Sequence, residues 1–85
     1  MTPRFLAADL DGRLIVLDLR RARVVLFDRR SADVWRAAEG LTAEEITALV
    51  RAPSPVVDAA LTELATAELV TATDGRWSRV MVRWV

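Results

Sequence analysis

Few side chains in this 85-residue chain are suited to covalent or acid–base chemistry. The sequence contains no His, Cys, Lys or Tyr. These absences remove the usual general base near neutral pH, the thiol nucleophile, the Schiff-base amine and the phenol. Carboxylates, hydroxyls and arginines remain, and no thiolate is available to bind a metal. We therefore expect a protein that is not an enzyme, with no catalytic residues, no metal site and no cofactor.

Two pairs of acidic residues come closest to a catalytic arrangement. Glu44 and Glu45 fall in the first turn of a predicted helix, where capping and the helix dipole account for them. Asp9 and Asp11 flank a predicted turn, a position that favours Asp for local reasons. Neither pair has a convergent second group, so we interpret both pairs as structural.

Composition limits the classes of partner. Twelve basic residues balance twelve acidic ones, so no overall field attracts nucleic acid or an anionic membrane. The chain is 53% apolar, yet no uncharged run approaches the roughly 18 residues that a membrane span needs. Without cysteine there is no disulfide framework. We expect one domain in the cytoplasm, with no nucleic-acid or membrane partner.

The N-terminal third predicts an antiparallel meander of three strands. Apolar runs occupy residues 4–8, 13–18 and 23–28. Asp11 and Gly12 form a two-residue hairpin turn between the first two runs, because Gly tolerates positive φ. The next bend is rich in arginine.

Capping residues predict three helices after the meander. Ser31 is the expected N-cap of the first helix, and Gly40 is expected to stop that helix just past its end. Thr42 and Glu45 form a capping box for the second. Ser54 is the expected cap of the third, with Pro55 at its first position. The apolar stripes predicted for the three helices are, in order, Val34, Trp35 and Ala38; Ile46, Leu49 and Val50; and Val57, Ala60, Leu61 and Leu64.

The C-terminal segment, about residues 69–84, predicts a β-hairpin. Asp74 and Gly75 mark its turn. Trp77 and Trp84 would lie on opposite faces of its second strand, so one of them is expected to be covered by a partner or by a second copy of the chain. A homodimer through the C-terminal strand is therefore one expectation.

The order of elements predicts one α+β domain over residues 1–85. It consists of a three-stranded antiparallel meander, three helices in a winged-helix-like arrangement, and the C-terminal β-hairpin. A winged helix is often a DNA reader, but the third helix, residues 55–68, has no basic residue and three acidic ones. DNA phosphates would repel such a helix, so DNA binding stays only as an alternative. Homodimerisation is the second alternative. Several arginines could contact DNA, but we interpret them as a solvent-exposed face: Arg20, Arg21, Arg23, Arg76, Arg79 and Arg83.

The run at 23–28 poses a question about its outer edge. It has no Pro, Lys or Gly, and its only charges, Arg23 and Asp28, are at its ends. Edge strands are usually blunted by such residues. Either the strand is interior, or covered by the C-terminal strand, or its edge is open to an extended peptide that adds a strand.

Several segments resemble the PqqD-like family. They are the strands "LIVLDL" and "RVVLFD", followed by "SADVWRAAEGLTAEEITALV" and "VVDAALTELATAELV", and the likeness covers about residues 10–70. The family comprises recognition elements of pathways that modify ribosomally made peptides. This chain departs from it where Ala22 and Glu68 stand in positions that often carry Gly.

The resemblance implies a free-standing adaptor of the type found in bacterial lasso-peptide clusters. The leader region of a precursor peptide would dock as a fourth strand on the third strand, in a groove closed by the third helix. Apolar pockets there would take a Tyr and a Pro of the leader, and a transglutaminase-like leader protease would be the second partner. The core domain would span about residues 4–70. The predicted peptide-binding residues are Arg23, Val24, Val25, Leu26, Phe27, Asp28, Val57, Asp58, Leu61, Leu64 and Ala65.

Overall fold

A computed structural model describes residues 2–85. It opens with three strands, β1 (Phe5–Leu10), β2 (Arg13–Asp18) and β3 (Arg23–Phe27). Each pairs antiparallel with its neighbour in sequence. The predicted meander is therefore confirmed, although β1 begins one residue later and ends two residues later than its apolar run indicates.

Three helices and a short strand follow the meander. They are α1 (Arg29–Ala37), β4 (Glu39–Thr42), α2 (Ala43–Val50) and α3 (Ser54–Thr66). The C-terminal part contains β5 (Val70–Thr73), β6 (Arg76–Arg79) and β7 (Arg83–Trp84). The fold is α+β, as predicted.

The strands form two sheets. The first has the order β3-β2-β1-β7 and the second the order β4-β6-β5. β7 pairs parallel with β1, so the end of the chain occupies the edge of the first sheet opposite β3. The alternative in which the C-terminal strand covers residues 23–28 is therefore wrong, and β3 is an edge strand.

The second sheet differs from the sequence prediction around Gly40. We expected Gly40 to end the first helix, but α1 ends at Ala37, and Gly40 lies within β4 with φ of 75°. The pairing of β4 with β6 is irregular at this point, between Glu39 and Leu41. Gly40 thus supplies a left-handed residue at a bulge, a role that local sequence does not distinguish from a helix stop.

Two predicted helix caps are wrong and one is confirmed. Asp28, rather than Ser31, caps α1, since its Oδ1 accepts the Ser31 N–H at 2.8 Å. Pro53 occupies the N-cap position of α3, which has no side-chain cap, and Ser54 is its first residue. The capping box of α2 forms as predicted from Thr42 and Glu45.

The core lies between the first sheet and the helices. Every residue predicted for the third helix stripe is buried, and so are Val34, Trp35, Ala38 and Ile46. The prediction that Leu49 belongs to the buried stripe of α2 is wrong, because 63% of this residue is exposed. The largest fully buried side chains are Phe5, Phe27, Leu14, Ile46, Leu61, Leu64, Leu69, Val16, Val34 and Val57.

The two C-terminal tryptophans do not share a strand. Trp77 is in β6 and packs partly buried against the core, whereas Trp84 is in β7 of the other sheet. Trp84 is about half exposed, and its ring meets the edge of the Trp35 ring with centroids 5.8 Å apart. The prediction that they lie on opposite faces of one strand is wrong, because the chain leaves β6 after Arg79.

The bend between β2 and β3 carries a left-handed alanine. Ala22 has φ of 51°, a conformation that costs an L-residue about 1–2 kcal/mol and glycine almost nothing. Ala22→Gly is therefore expected to raise the free energy of unfolding by about 0.5–1 kcal/mol after the greater freedom of Gly in the unfolded chain is subtracted. Urea unfolding measures this. In the control Ala59→Gly, an exposed site inside α3, stability should fall by about 1 kcal/mol; a loss of stability in Ala22→Gly as well would contradict the assignment.

Candidate functional site

The outer edge of β3 is open. Among residues 2–85, β3 pairs only with β2, in a register that sets Val25 opposite Val16 and Phe27 opposite Leu14. The main-chain groups on the far side of the strand therefore have no ladder partner. An edge of this kind is a template for another strand.

The register identifies which β3 residues direct their main-chain groups outward. The Leu19 N–H donates to the Arg4 carbonyl at 2.8 Å, in line with the pairing of β1 with β2. Hydrogen-bonded and non-bonded pairs alternate along antiparallel strands, so Leu19, Leu17 and Ile15 bond to β1. The residues between them, Asp18, Val16 and Leu14, bond to β3.

It follows that the N–H and C=O groups bond to β2 at Arg23, Val25 and Phe27. They point to the open edge at Val24 and Leu26. The same alternation holds at the opposite edge. There the Ala7 carbonyl, which alternation turns away from β2, accepts the Val85 N–H at 3.0 Å. Val24 and Leu26 are thus the residues able to bond an added strand.

The side chains of β3 alternate between two faces. Val25 and Phe27 point toward the helices, and both line a cavity. Val24 and Leu26 point to the other face of the sheet, where they are 70% and 54% exposed. That outer face is mostly apolar, and it ranges from partly buried over most of β1 and β2 to exposed in β3. Its members are Leu6, Ala8, Leu10, Ile15, Leu17, Val24 and Leu26.

A groove runs between the open edge of β3 and helix α3. It consists of two adjoining cavities of about 310 and 340 Å³, which we call the edge groove. The first has an apolar floor that includes Phe5, Val16 and Phe27. The residues that line the first are Phe5, Val16, Asp18, Arg21, Arg23, Val25, Phe27, Glu63, Thr66, Ala67 and Leu69. Those that line the second are Asp28, Arg30, Ser31, Pro55, Val56, Ala59, Ala60 and Glu63.

One flank of α3 faces the edge groove. Val56, Ala59, Glu63 and Thr66 follow one another at intervals of three or four residues, so they share one side of the helix. This stripe lies directly beside the buried stripe of α3. The candidate site therefore joins a strand edge, an apolar floor and a mostly small or polar helix flank.

The predicted site residues on α3 are distributed differently. Val57, Leu61 and Leu64 are fully or almost fully buried in the core and line neither cavity of the edge groove. Asp58 is exposed and also lines neither. Ala65 lines a third cavity of about 450 Å³, which includes Val80 and Met81 of the C-terminal segment.

The predicted residues on β3 lie together. Arg23, Val25 and Phe27 line the first cavity and Asp28 the second, while Val24 and Leu26 offer main-chain groups. Sequence reasoning missed Val56, Ala59, Glu63 and Thr66. Their helical spacing places them on one flank of the buried stripe of α3. The same spacing also defines the opposite flank, so it does not indicate which flank faces β3.

A network of charges closes one end of the edge groove. Asp18 is buried at the start of the bend, and its two oxygens accept from Nε and Nη2 of Arg4 at 3.2 Å each. It also accepts the main-chain N–H of Arg20 at 3.0 Å and of Arg21 at 3.3 Å. Glu68 pairs with Arg4 and, at 3.1 Å, with Arg21. The charge of Asp18 is thus satisfied within the protein.

These contacts make the fold sensitive to acid. The hydrogen bond from Arg4 lowers the pKa of Asp18 below its ordinary 3.8. The N–H groups of Arg21 and Arg20 lower this pKa further, whereas burial acts in the opposite direction. Arg4 likewise lowers the pKa of Glu68 below 4.5. A lowered pKa means that the folded state binds fewer protons, so the stability is present above the ordinary pKa and is lost as pH falls through the folded value.

We therefore expect the urea midpoint to be flat above about pH 5 and to fall progressively below about pH 4.5. Asp18→Asn should lower the midpoint at neutral pH, since one amide cannot accept all four hydrogen bonds as an anion does. It should also flatten the decline in acid. An Asp18→Asn variant with the same acid slope as the wild type would contradict the role of Asp18.

Residues 2–85 contain no group of three or more His, Cys, Asp or Glu side chains placed to hold a metal ion. None of the helices described is long and apolar enough to cross a membrane. Comparison with protein-family models, with curated proteins and with solved structures finds no match.

Proposed function

We propose that this protein is a non-catalytic adaptor that binds an extended peptide as a strand added to β3. The observation that carries the proposal is the open edge of β3, where Val24 and Leu26 offer unpaired main-chain groups beside a groove. In strand addition, main-chain hydrogen bonds supply affinity and alternate side-chain pockets supply specificity. The open edge of β3 offers main-chain groups, and the edge groove beside it offers side-chain pockets.

The peptide we propose is the leader region of a ribosomally made precursor, presented to a leader protease of the same pathway. The resemblance to the PqqD-like family supports this identity, and so does the fold of three strands followed by three helices. Ala22 and Glu68, at which the sequence lacks the frequent glycine of the family, have φ of 51° and 62°. Both positions thus have the left-handed backbone that favours glycine.

DNA binding has less support. The helix of a winged-helix protein that enters the major groove carries basic or amide side chains, whereas α3 has none and presents Glu63 on its groove flank. A peptide ligand uses the strand edge instead and does not require a basic helix. We therefore propose a peptide as the partner and no nucleic acid.

The experiment is a titration of the ¹⁵N-labelled protein with a panel of synthetic leader segments, each about 20 residues long. A binding segment should shift the amide signals of Val24 and Leu26 and slow their hydrogen exchange. The amide of Val25, already bonded to β2, should keep its protection throughout. Affinity should depend weakly on salt, because apolar contacts and main-chain bonds dominate.

Two outcomes would contradict the proposal. One is binding of a leader segment with shifts confined to β7 or to the β5–β6 hairpin. The other is binding of non-specific duplex DNA at low salt, with affinity falling steeply as salt rises, while no segment of the panel perturbs β3.

A further inference from the structure

Two charged side chains that line the first cavity of the edge groove, Arg23 on β3 and Glu63 on α3, are left without an ion pair. No salt bridge within residues 2–85 involves either of them, and none involves Asp28 or Arg30, the other charged residues that line the second cavity. The other charges of the first cavity are different, because Asp18 and Arg21 belong to the network with Arg4 and Glu68. Arg23 and Glu63 are therefore free to meet charges on a ligand.

Glu63 has a central position. It is the one residue common to the linings of both cavities, so it lies where they join. Its neighbours on the groove flank, Ala59 and Thr66, are small and uncharged. A side chain entering the middle of the groove would meet Glu63, while one near the bend would meet Arg23 at the start of β3.

Strand geometry determines which peptide side chains reach these two residues. A residue of an added strand lies opposite a β3 residue, and its side chain points to the same face. The positions opposite Arg23, Val25 and Phe27 therefore point inward, at intervals of about 7 Å. The middle one, opposite Val25, enters the first cavity, which Val25 and Glu63 both line, and its neighbour two residues away lies opposite Arg23.

We infer that the bound peptide carries a basic side chain at the inward position opposite Val25, where it pairs with Glu63, and an acidic or neutral one two residues away, opposite Arg23. This inference rests on the proposed function and deepens it by naming the class of peptide. This preference favours one register of the added strand, because a shift by two residues toward the bend would place the basic side chain opposite Arg23, a like charge.

The test uses nine-residue peptides of alternating Thr and Val in which the central Val is replaced by Arg, Gln or Glu. Their affinities are measured by titrating the ¹⁵N-labelled protein and following the Val24 and Leu26 amides. The Arg peptide should bind about two- to fivefold more tightly than the Gln peptide, the range for an exposed ion pair. It should bind about tenfold more tightly than the Glu peptide, which is repelled.

Matched variants locate the preference. Glu63→Gln should bring the three affinities within about twofold of one another, and Glu63→Arg should reverse their order. Glu44→Gln, an exposed carboxylate on α2 outside both cavities, should leave the preference unchanged. Both Glu63 variants are expected to fold, because the residue is exposed and Gln and Arg are good helix formers.

The outcomes separate the inference from the function on which it rests. If all three peptides shift the β3 amides with equal affinity, strand addition stands and the charge inference is overturned. If a preference for Arg persists unchanged in Glu63→Gln, the inference is also overturned. If no peptide shifts these amides at millimolar concentration, both the inference and the proposed strand addition are overturned.

Discussion

Leu26→Pro should weaken peptide binding at least tenfold and leave the protein folded, whereas Val25→Pro, one residue earlier, should disrupt the sheet. Proline lacks an N–H donor and fixes φ near −65°. The Val25 N–H belongs to the ladder with Val16, so its loss breaks an internal bond of the meander. The Leu26 N–H points to the open edge, the one place in a sheet where proline is tolerated.

The expected loss of affinity in Leu26→Pro is at least tenfold. An added strand would lose one main-chain hydrogen bond, and the peptide acceptor left unpaired costs about 1–3 kcal/mol, or about five- to 150-fold. The proline ring also obstructs the incoming strand. Far-UV circular dichroism and urea unfolding test the fold, and titration with the peptide that binds the wild type best measures affinity.

Val24→Thr is the control for the side chain. Residue 24 is 70% exposed on the outer face, and threonine keeps both the N–H and the preference for a strand. Its affinity and stability should stay close to those of the wild type. Wild-type affinity in a folded Leu26→Pro would place the peptide elsewhere. A Val25→Pro variant as stable as Leu26→Pro would show that the alternation along β3 is wrong.

The parts of the fold that follow from sequence are those with local causes. Asp11-Gly12 and Asp74-Gly75 both have positive φ at each residue, as a two-residue hairpin turn requires. Thr42 and Glu45 satisfy each other's main chain within a single turn of helix. The open edge of β3 was one of the predicted alternatives because residues 23–28 lack the features that usually protect an edge.

The parts that do not follow from sequence depend on distant pairing. β4 is four residues long and contains Gly40, so it becomes a strand only because β6 pairs with it from more than 30 positions away. The Val80 N–H bonds to the Leu69 carbonyl at 2.9 Å, and the chain then departs toward β1. No local pattern distinguishes this path from a longer hairpin.

For a related reason, the sequence does not indicate which flank of α3 faces the edge groove. Helical spacing identifies the buried stripe of Val57, Leu61 and Leu64, but that stripe has two flanks. One contains Asp58 and Ala65, and the other Val56, Ala59, Glu63 and Thr66. Which flank lies beside β3 depends on how the helix crosses the sheet, and only the tertiary arrangement gives that.

Trp35→Ala is expected to have the largest effect on stability. Trp35 is 2% exposed, and its Nε1 donates to the Leu69 carbonyl at 3.1 Å. Its ring also meets the Trp84 ring and lies under the Arg79 guanidinium, 5.4 Å from the centroid. Trp35 thus joins α1 to both C-terminal strands that reach it, β6 and β7, so its loss should loosen the C-terminal segment as well as the core.

The expected cost of Trp35→Ala is about 3–5 kcal/mol, the range for removing a large buried aromatic side chain. That is a major part of the 5–15 kcal/mol that stabilises a typical protein, so the variant should be partly unfolded at 25 °C. Urea unfolding measures the loss. Proteolysis should cut the segment after Leu69 first, because its contacts with Trp35 are gone.

Two further variants separate the ring from its hydrogen bond. Trp35→Phe should cost only about 1 kcal/mol for the lost bond plus the smaller ring, since the Leu69 carbonyl keeps the Val80 N–H. Trp84→Ala should cost less than Trp35→Ala because half of Trp84 is already exposed. If Trp84→Ala proved as damaging as Trp35→Ala, the C-terminal strand would be a main support of the core.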